Sequence, residues 1–296
     1  MVASGLTRVQ AGDRVKRSPA LPSSLFATPW RLLSFVSFFA AWWLAANPWA
    51  PLASARVLPS PAAVAKAFWV HAYENMRSLD WSFSLLGLKV DLEFEVPVLV
   101  HAVFITLGRV GISFVIAMLL GTVFGILMGR WQKADRAFDG WLMMGLNIPA
   151  LIVGMLSFVW FGLNDMALII AVVINKVPTV AVTVREGARA VERDLMQVAR
   201  AFRLSWRKTL FKVYLPQLFP FIMAAERSGL ALIWKIILVY ELLGRSSGVG
   251  YQLQTYFSLF DIKSVLAYAF AFMAVVILIE MVLVRRLERR LTRWRL

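Results

Sequence analysis

Cysteine is absent from this chain of 296 residues, and histidine occurs only twice, at His71 and His101. The first absence excludes disulfides, zinc–thiolate sites, iron–sulfur clusters and cysteine nucleophiles, and the second leaves little material for a histidine-rich metal site. Acidic residues are also few, because 17 Asp and Glu stand against 32 Lys and Arg. Charged residues make up 17% and hydrophobic residues 60% of the chain, whereas an ordinary soluble domain has about 25% and 45–50%. This composition argues against a water-soluble enzyme and against a disordered chain.

Six stretches carry about 20 mostly apolar residues, which is the length that a bilayer-spanning helix needs. They are residues 32–50, 99–128, 141–163, 166–184, 213–240 and 264–284. We therefore expect an all-α integral membrane fold with six spans. Residues 1–30 would form a polar arm, residues 31–296 the membrane domain, and residues 51–97 the longest loop on the outer side.

The first stretch has a second interpretation as a secretory signal. Basic residues precede it, and Ala53, Ser54 and Ala55 follow it in the order of a signal-peptidase site. The basic region is long for a signal, and five further spans follow, so a retained span is favoured.

The distribution of basic residues decides between nucleic-acid binding and membrane topology as the cause of the net charge of +15. With six crossings, 22 Lys and Arg fall on one side, in residues 8–31, 130–136, 185–212 and 285–295, and only 6 fall on the other side. The positive-inside rule then places both termini in the cytoplasm. Topology accounts for the excess charge without a nucleic-acid partner.

Several features predict local structure. Residues 64–77 have the apolar spacing of a short amphipathic helix, and residues 91–96 alternate as in a weak strand. Gly121, Gly125 and Gly129 repeat at a four-residue spacing, which is typical of a close helix–helix contact in membranes.

Charged residues inside apolar stretches are expensive to place in lipid, at about 2.5–3.5 kcal/mol each at the bilayer centre. Four cations fall there: Arg109, Lys176, Arg227 and Lys235. We expect each to face a cavity, a partner or an interface. Lys176, beside Asn175 and Pro178, is the first candidate for a translocation pathway, followed by Arg227 and Lys235, whereas Arg109 is expected to be structural.

Two acidic residues accompany these cations. Glu226 is adjacent to Arg227, so the two would point apart on one helix. Glu241 and Arg245 are four residues apart, and we expect them to pair at a helix end.

The basic segment 186–212 between the fourth and fifth stretches predicts a helix, a turn and a second helix. Leu195, Val198, Ala199 and Phe202 recur at helical spacing and form an apolar stripe. Ser205 is placed to cap the second helix. The stripe must pack against its own domain or a partner, although a solvated helix attracted to anionic lipid is the simpler alternative.

This segment resembles the coupling motif of ABC importer permeases of the nitrate/sulfonate/taurine/bicarbonate type, which is E-A-A-x-x-x-G followed about nine residues later by I/V-x-L-P. Gln197, Val198 and Ala199 occupy the E-A-A positions, Arg203 the glycine position, and residues 213–216 the closing positions.

Further stretches resemble the family's other motifs in the same order, at residues 58–61, 147–150, 241–244 and 247–251. Gln197 and Arg203 depart from the pattern. The family glycine permits a left-handed turn, and an Arg there would cost about 1–2 kcal/mol if the turn were kept. Either the turn changes shape or the cost is tolerated.

The resemblance implies a type I permease fold in a bacterial inner membrane, with a coupling helix between spans four and five. The residues that it assigns to ATPase coupling are Asp194, Leu195, Gln197, Val198, Ala199, Phe202, Arg203, Leu204, Ser205 and Arg207. Its implied partners are ABC ATPase subunits, a second permease copy or paralogue, and an extracytoplasmic binding protein. The chain would bind no cofactor and no metal, because ATP and Mg belong to the ATPase and no P-loop motif occurs here.

The predicted function is therefore the membrane-spanning subunit of an ATP-driven importer for a small anionic or zwitterionic solute. Two alternatives remain open at this point. One is a membrane scaffold or assembly subunit that has lost transport, which would explain the departures at Gln197 and Arg203. The other is an intramembrane enzyme, for which no pair of catalytic carboxylates and no H-E-x-x-H motif is visible.

Overall fold

A computed structural model describes residues 24–46, 58–85 and 88–284. Helix α1 spans Ser24–Ala45 and therefore begins inside the arm predicted for residues 1–30. The remaining arm residues, and the basic residues predicted at 285–295, lie outside the described part. Helix α2 spans Pro61–Trp69, where the Ser60 hydroxyl accepts a hydrogen bond from the Ala63 amide at 3.3 Å. A single π-helical turn, Val70–Glu74, extends it, and this confirms most of the helix predicted at 64–77.

A β-hairpin follows, which corrects the all-α expectation. Strands β1 (Met76–Leu85) and β2 (Leu88–Pro97) pair antiparallel in a register that runs from Met76 opposite Pro97 to Leu85 opposite Leu88. The alternating pattern at 91–96 was the sequence signal for β2. Backbone groups that do not form a helix must pair in another way, and here the loop pairs with itself.

Two parallel helices form the centre of the molecule. Helix α3 spans Val98–Arg130 and helix α6 spans Asp165–Arg189. A Cβ built on Gly121 would lie 2.5 Å from the Val180 Cβ, and one on Gly125 would lie 2.7 Å from the Val184 Cβ. The predicted small-residue contact is confirmed, because only hydrogen at these positions lets the backbones approach so closely.

The stretch predicted as one span at 141–163 is broken. Helices α4 (Gln132–Asn147) and α5 (Ala150–Phe161) meet at an angle of 98°. Ile148 is extended, with φ −70° and ψ 124°. It precedes Pro149, and the residue before a proline is disfavoured in the α region.

Helix α7 (Arg193–Ala201) and the one-turn helix α8 (Trp206–Thr209) connect α6 to the long helix α9 (Leu215–Gly244) through a π-helical turn at Leu210–Tyr214. Helix α9 runs antiparallel to α6: its start packs with the end of α6 and its end lies near the beginning of α6. Helix α10 (Val249–Ser258), helix α11 (Ile262–Ile279) and a π-helical turn at Glu280–Val284 complete the described part.

Three described helices are long and apolar enough to cross a membrane, namely Val98–Arg130, Asp165–Arg189 and Ile262–Val282, and the bent α4–α5 pair gives a fourth if it counts as one span. Helix α9 is not among them because Glu226, Arg227 and Lys235 interrupt its apolar sequence. The apolar part of α1, Leu33–Ala45, is shorter than a full span.

Candidate functional site

The candidate coupling site is the α7–α8 segment, and its turn resolves the question raised by Arg203. Arg203 has φ 48°, so the left-handed conformation is kept although the residue is not glycine. The Leu204 amide donates to the Ala199 carbonyl at 3.0 Å, and the Arg203 amide donates to the Arg200 carbonyl at 2.9 Å. These two bonds form a Schellman motif, which ends α7 and satisfies its last carbonyls.

The predicted apolar stripe divides into two parts. Ala199 is only 2% exposed, whereas Leu195 is 43%, Val198 50% and Phe202 76% exposed. Ala199 thus packs on the domain itself, and the other three form an uncovered apolar face, which we call the α7 face. Trp206 and Phe211, which follow along the chain, are also exposed.

The opposite side of α7 is fixed to the end of the helix bundle. Met196 packs against a buried cluster that includes Val184, Tyr214 and Leu218, contributed by α6, the π-helical turn and α9. The Glu192 amide also donates to Oε1 of Gln217 at 3.0 Å. Helix α7 is therefore in direct contact with both α6 and α9.

The other predicted coupling residues lie on the surface of this segment. Asp194, Gln197 and Arg207 are exposed. Ser205 precedes α8 in an extended conformation, with φ −61° and ψ 152°, but its side chain makes no capping hydrogen bond. The helix start predicted at Ser205 is confirmed, whereas the predicted cap contact is wrong.

The predicted pathway residues fall into two environments. Lys176 is 2% exposed, and its Nζ has no hydrogen-bond partner among the described residues. It lies against Gly229 of α9, where a built Cβ would be 3.2 Å from the lysine Cε. Asn175 donates to the Tyr240 hydroxyl at 3.0 Å, and that hydroxyl donates to the Ala150 carbonyl at 2.6 Å. This chain of hydrogen bonds joins α5, α6 and α9.

Arg227 and Lys235, by contrast, are exposed on α9. Lys235 borders a groove of about 320 Å³ between α9, α10 and α11, whose walls include Trp234, Phe272 and Glu280. Exposed charges on a largely apolar helix indicate a surface that meets water or a partner rather than lipid.

A buried ion network, which the sequence did not predict, lies at the far end of the bundle. Nη1 of Arg109 lies 2.6 Å from Oε1 of Glu241, and Nε of Arg109 donates to Asp165 at 2.8 Å. The expected pairing of Glu241 with Arg245 is wrong, because Arg245 lies 3.0 Å from Asp165 instead. Isolated opposite charges in separate apolar stretches were the only sequence signal for this network.

Glu241 has hydrogen-bond donors at both of its carboxylate oxygens. The Thr106 hydroxyl lies 2.9 Å from each oxygen, and the Gly250 amide donates to Oε2 at 2.9 Å. A buried carboxylate is stable only when it is paired and hydrogen-bonded in this way. The network ties α3, α9 and the start of α10 together.

A second ion cluster joins α4 to α6 near α7. Nη1 of Arg185 lies 2.6 Å from Asp139 and 3.3 Å from Asp135, and Nη2 of Arg189 lies 2.5 Å from Asp135. These contacts fix the broken α4–α5 segment to the same end of the bundle that carries the coupling segment.

The described residues include no group of three or more His, Asp or Glu side chains that could hold a metal ion.

Comparison with known proteins identifies the family. Residues 121–293 match the family model of the binding-protein-dependent transport system inner membrane component. The permease protein SsuC of Bacillus subtilis (strain 168), named for aliphatic sulfonates transport, is 32% identical over 191 residues, which cover 64% of this chain and 69% of that protein. The taurine transport system permease protein TauC of Escherichia coli (strain K12) is 27% identical over 189 residues, 64% of this chain and 68% of that protein.

A solved structure of the MetNI methionine ABC transporter in an inward-facing conformation has a chain with the same fold. Its TM-score is 0.58 at 19% identity, and the match covers 66% of this chain and 96% of that one. The chain therefore belongs to the family of binding-protein-dependent transport system inner membrane components, as a non-catalytic permease subunit of an ABC importer.

Proposed function

We propose that the chain crosses the membrane six times as a type I permease, with both termini in the cytoplasm. The directions of the helices support this. Because α3 and α6 are parallel, the chain between them would cross back once, and the bent α4–α5 pair would supply that return. Helix α9 then runs back against α6, and α1 and α11 supply the first and last crossings. The positive-inside rule places the α7–α8 segment in the cytoplasm.

The α7 face is the observation that carries the coupling role. A short helix that packs the partly buried Met196 and the buried Ala199 against its own domain presents Leu195, Val198 and Phe202 outward. Clustered apolar side chains on an aqueous surface mark a site of protein–protein contact. We assign this face to an ABC ATPase subunit, which would bind ATP and Mg while this chain binds no cofactor.

The motion of the ATPase subunits would reach the membrane helices because α7 is packed firmly against α6 and α9. Closure of two ATPase subunits would move α7, and the buried contacts with Val184 and Leu218 would carry that motion into α6 and α9 as a rigid-body displacement. The turn at Arg203 would fix the angle between α7 and α8 during this movement. Asp194, Gln197, Leu204, Ser205 and Arg207 would form the rim of the docking surface.

The translocation pathway would lie along α9, where Arg227 and Lys235 are exposed, and a second permease copy or paralogue would complete it. Lys176 and Asn175 would contribute from α6 if the pathway opens between α6 and α9. Cations on such a surface favour an anionic or zwitterionic solute. The relatives named for aliphatic sulfonates and taurine support this substrate class, and an extracytoplasmic binding protein would deliver the solute to the outer loops.

The coupling role can be tested with the double variant Val198→Asp/Phe202→Asp. Both side chains are exposed, so the change should leave the permease folded while it places two charges in the ATPase contact. We expect loss of co-purification with the ATPase and loss of binding-protein-stimulated ATP hydrolysis in proteoliposomes. Ala199→Asp is a poorer test, because Ala199 is buried and a charge there would disturb the permease itself.

Phe257→Asp is the matched control, since Phe257 is an exposed aromatic residue on α10, away from the coupling segment. The control should retain ATPase association. If the double variant keeps both association and stimulated hydrolysis, the α7 face is not the docking element. If the wild-type chain binds the ATPase but never stimulates it, the chain is a scaffold subunit instead.

A further inference from the structure

A wide cleft opens beside the coupling segment, between the α3–α4 corner and α7. Its volume is about 870 Å³, and both the end of α6 and Tyr214 contribute to its walls. Ligand pockets of this size, about 300–1,000 Å³, hold small organic molecules rather than single ions.

The polar lining of this cleft is cationic. Arg130 comes from the end of α3, Arg189 from the end of α6 and Arg200 from α7, and Asp135 is the single carboxylate on the walls. Asp135 is itself engaged by Arg185 and Arg189. The charges of Arg130 and Arg200 therefore have no carboxylate partner among the described residues that line the cleft.

Neutral hydrogen-bonding groups accompany these charges. The amides of Gln132 and Gln197 lie on opposite walls. The Tyr214 hydroxyl, which interacts electrostatically with Arg130, is buried and has no hydrogen-bond partner among the described residues. A buried hydroxyl without a partner is costly, and Tyr214 is one of the residues that line the cleft.

The cleft also has apolar walls, formed by Met128, Trp131, Val191 and Met196. A site with several guanidinium donors and apolar walls suits a ligand with an oxyanion at one end and carbon at the other, because guanidinium groups bind phosphate oxygens with paired hydrogen bonds.

We propose that this cleft is a binding site for an organic phosphate, held between Arg130 of α3 and Arg200 of α7. The ligand would be either a free phosphate ester or the phosphate headgroup of an acidic lipid, since α3 ends at the edge of the predicted membrane. Occupancy would bridge the coupling segment to the body of the permease. The site does not depend on the identity of the transported solute, and it shares Gln197 with the rim of the proposed ATPase docking surface.

The experiment uses the purified full chain in phosphatidylcholine nanodiscs and titrates glycerol 3-phosphate by calorimetry. We expect saturable binding that weakens by about tenfold or more in Arg130→Gln and in Arg200→Gln, which is at least 1.4 kcal/mol by the standard conversion. Arg136→Gln is the matched control. It removes the same charge from an exposed position on α4 that does not line the cleft, and it should bind like the wild type.

A second measurement distinguishes a free phosphate ester from a lipid headgroup as the ligand. In nanodiscs that contain phosphatidylglycerol, native mass spectrometry counts the lipids retained by each variant. Binding of glycerol 3-phosphate that depends on Arg130 and Arg200 supports a soluble ligand. Retention of phosphatidylglycerol that depends on the same two residues supports a lipid. If neither compound binds, or if Arg136→Gln weakens binding as much as the cleft variants while all elute as folded protein, the proposal is wrong.

Discussion

Nη1 of Arg109 lies 2.6 Å from Oε1 of Glu241, although the two residues are 132 positions apart in the chain. Both side chains are buried, and together they join α3 to the end of α9. In an apolar environment each charge requires the other, because an unpaired buried ion costs several kcal/mol. This pair therefore holds one end of the bundle in register.

We expect Glu241→Gln to destabilise the permease by about 3–5 kcal/mol, since it leaves the buried Arg109 with the exposed Asp165 as its remaining carboxylate partner among the described residues. The measurement is thermal unfolding in detergent at constant lipid content. Asp165→Asn is the comparison, because Asp165 is half exposed and water can partly replace its contact with Arg109, so we expect a smaller loss than in Glu241→Gln. Equal losses in the two variants would contradict a dominant role for the Arg109–Glu241 pair.

The turn after α7 offers a stabilising substitution. Arg203→Gly removes a side chain from a left-handed conformation, which should stabilise the folded state by about 1–2 kcal/mol. The greater freedom of glycine in the unfolded chain should cost about 0.4–1 kcal/mol of that gain. We expect slower hydrogen exchange of the α7 amides. Gln197→Gly, placed inside α7, should accelerate that exchange, since an interior glycine costs about 1 kcal/mol. Faster exchange in Arg203→Gly would show that the arginine contributes contacts that outweigh its backbone cost.

The contact between α3 and α6 predicts a contrast between two glycines of one helix. In Gly125→Ala the new methyl group would meet the Val184 Cβ at 2.7 Å and the Ala181 carbonyl oxygen at 2.8 Å. Because the backbone cannot move away without separating the helices, we expect a loss of about 1–3 kcal/mol. In Gly111→Ala nothing lies within 4 Å of the new Cβ, so no loss of thermal stability is expected. A neutral Gly125→Ala would contradict the close contact.

His71, in the π-helical turn after α2, makes the free energy of unfolding depend on pH. Burial lowers the pKa of His71 below its ordinary value; the nearby carboxylate of Asp261 opposes this shift and Lys263 adds to it. The ring bonds to the Ser264 hydroxyl at 3.0 Å and packs against Tyr256. The folded state thus prefers the neutral ring. Its contribution to stability is present above the unfolded pKa of about 6.5 and decreases as the pH falls below that value.

The check is the pH dependence of the unfolding temperature between pH 7.5 and 5. His71→Gln should flatten the part of the slope below pH 6.5. A wild-type slope that survives in His71→Gln would assign the acid sensitivity to other groups.

The local patterns of the chain predicted much of this architecture. The spans at 99–128, 166–184 and 264–284 correspond to long helices, because a continuous apolar stretch of this length has few other solutions in a membrane. The spacing of Gly121, Gly125 and Gly129 predicted a close helix contact, and the motif around Ala199 predicted a helix and a turn between spans. Each of these signals lies within about 30 residues of sequence.

Contacts between distant segments were not predictable in the same way. Glu241 had a local candidate in Arg245, four residues away, yet it pairs with Arg109, because only the packing of α3 against α9 brings those atoms together in the interior. Similarly, the period of the α7 stripe could not distinguish Ala199, which is buried, from Val198, which is exposed.

Composition and periodicity alone thus determined that this is a helical membrane protein with a basic helix–turn–helix segment between two apolar stretches, since hydrophobic burial and the cost of unpaired backbone groups act on every short stretch of the chain. Only the tertiary structure decided which charges pair with one another. It also decided which side of α7 stays exposed, and in which direction the 98° bend turns α5. The physical reason is that ion pairing and burial depend on distances between atoms, and folding sets those distances between residues that are remote in sequence.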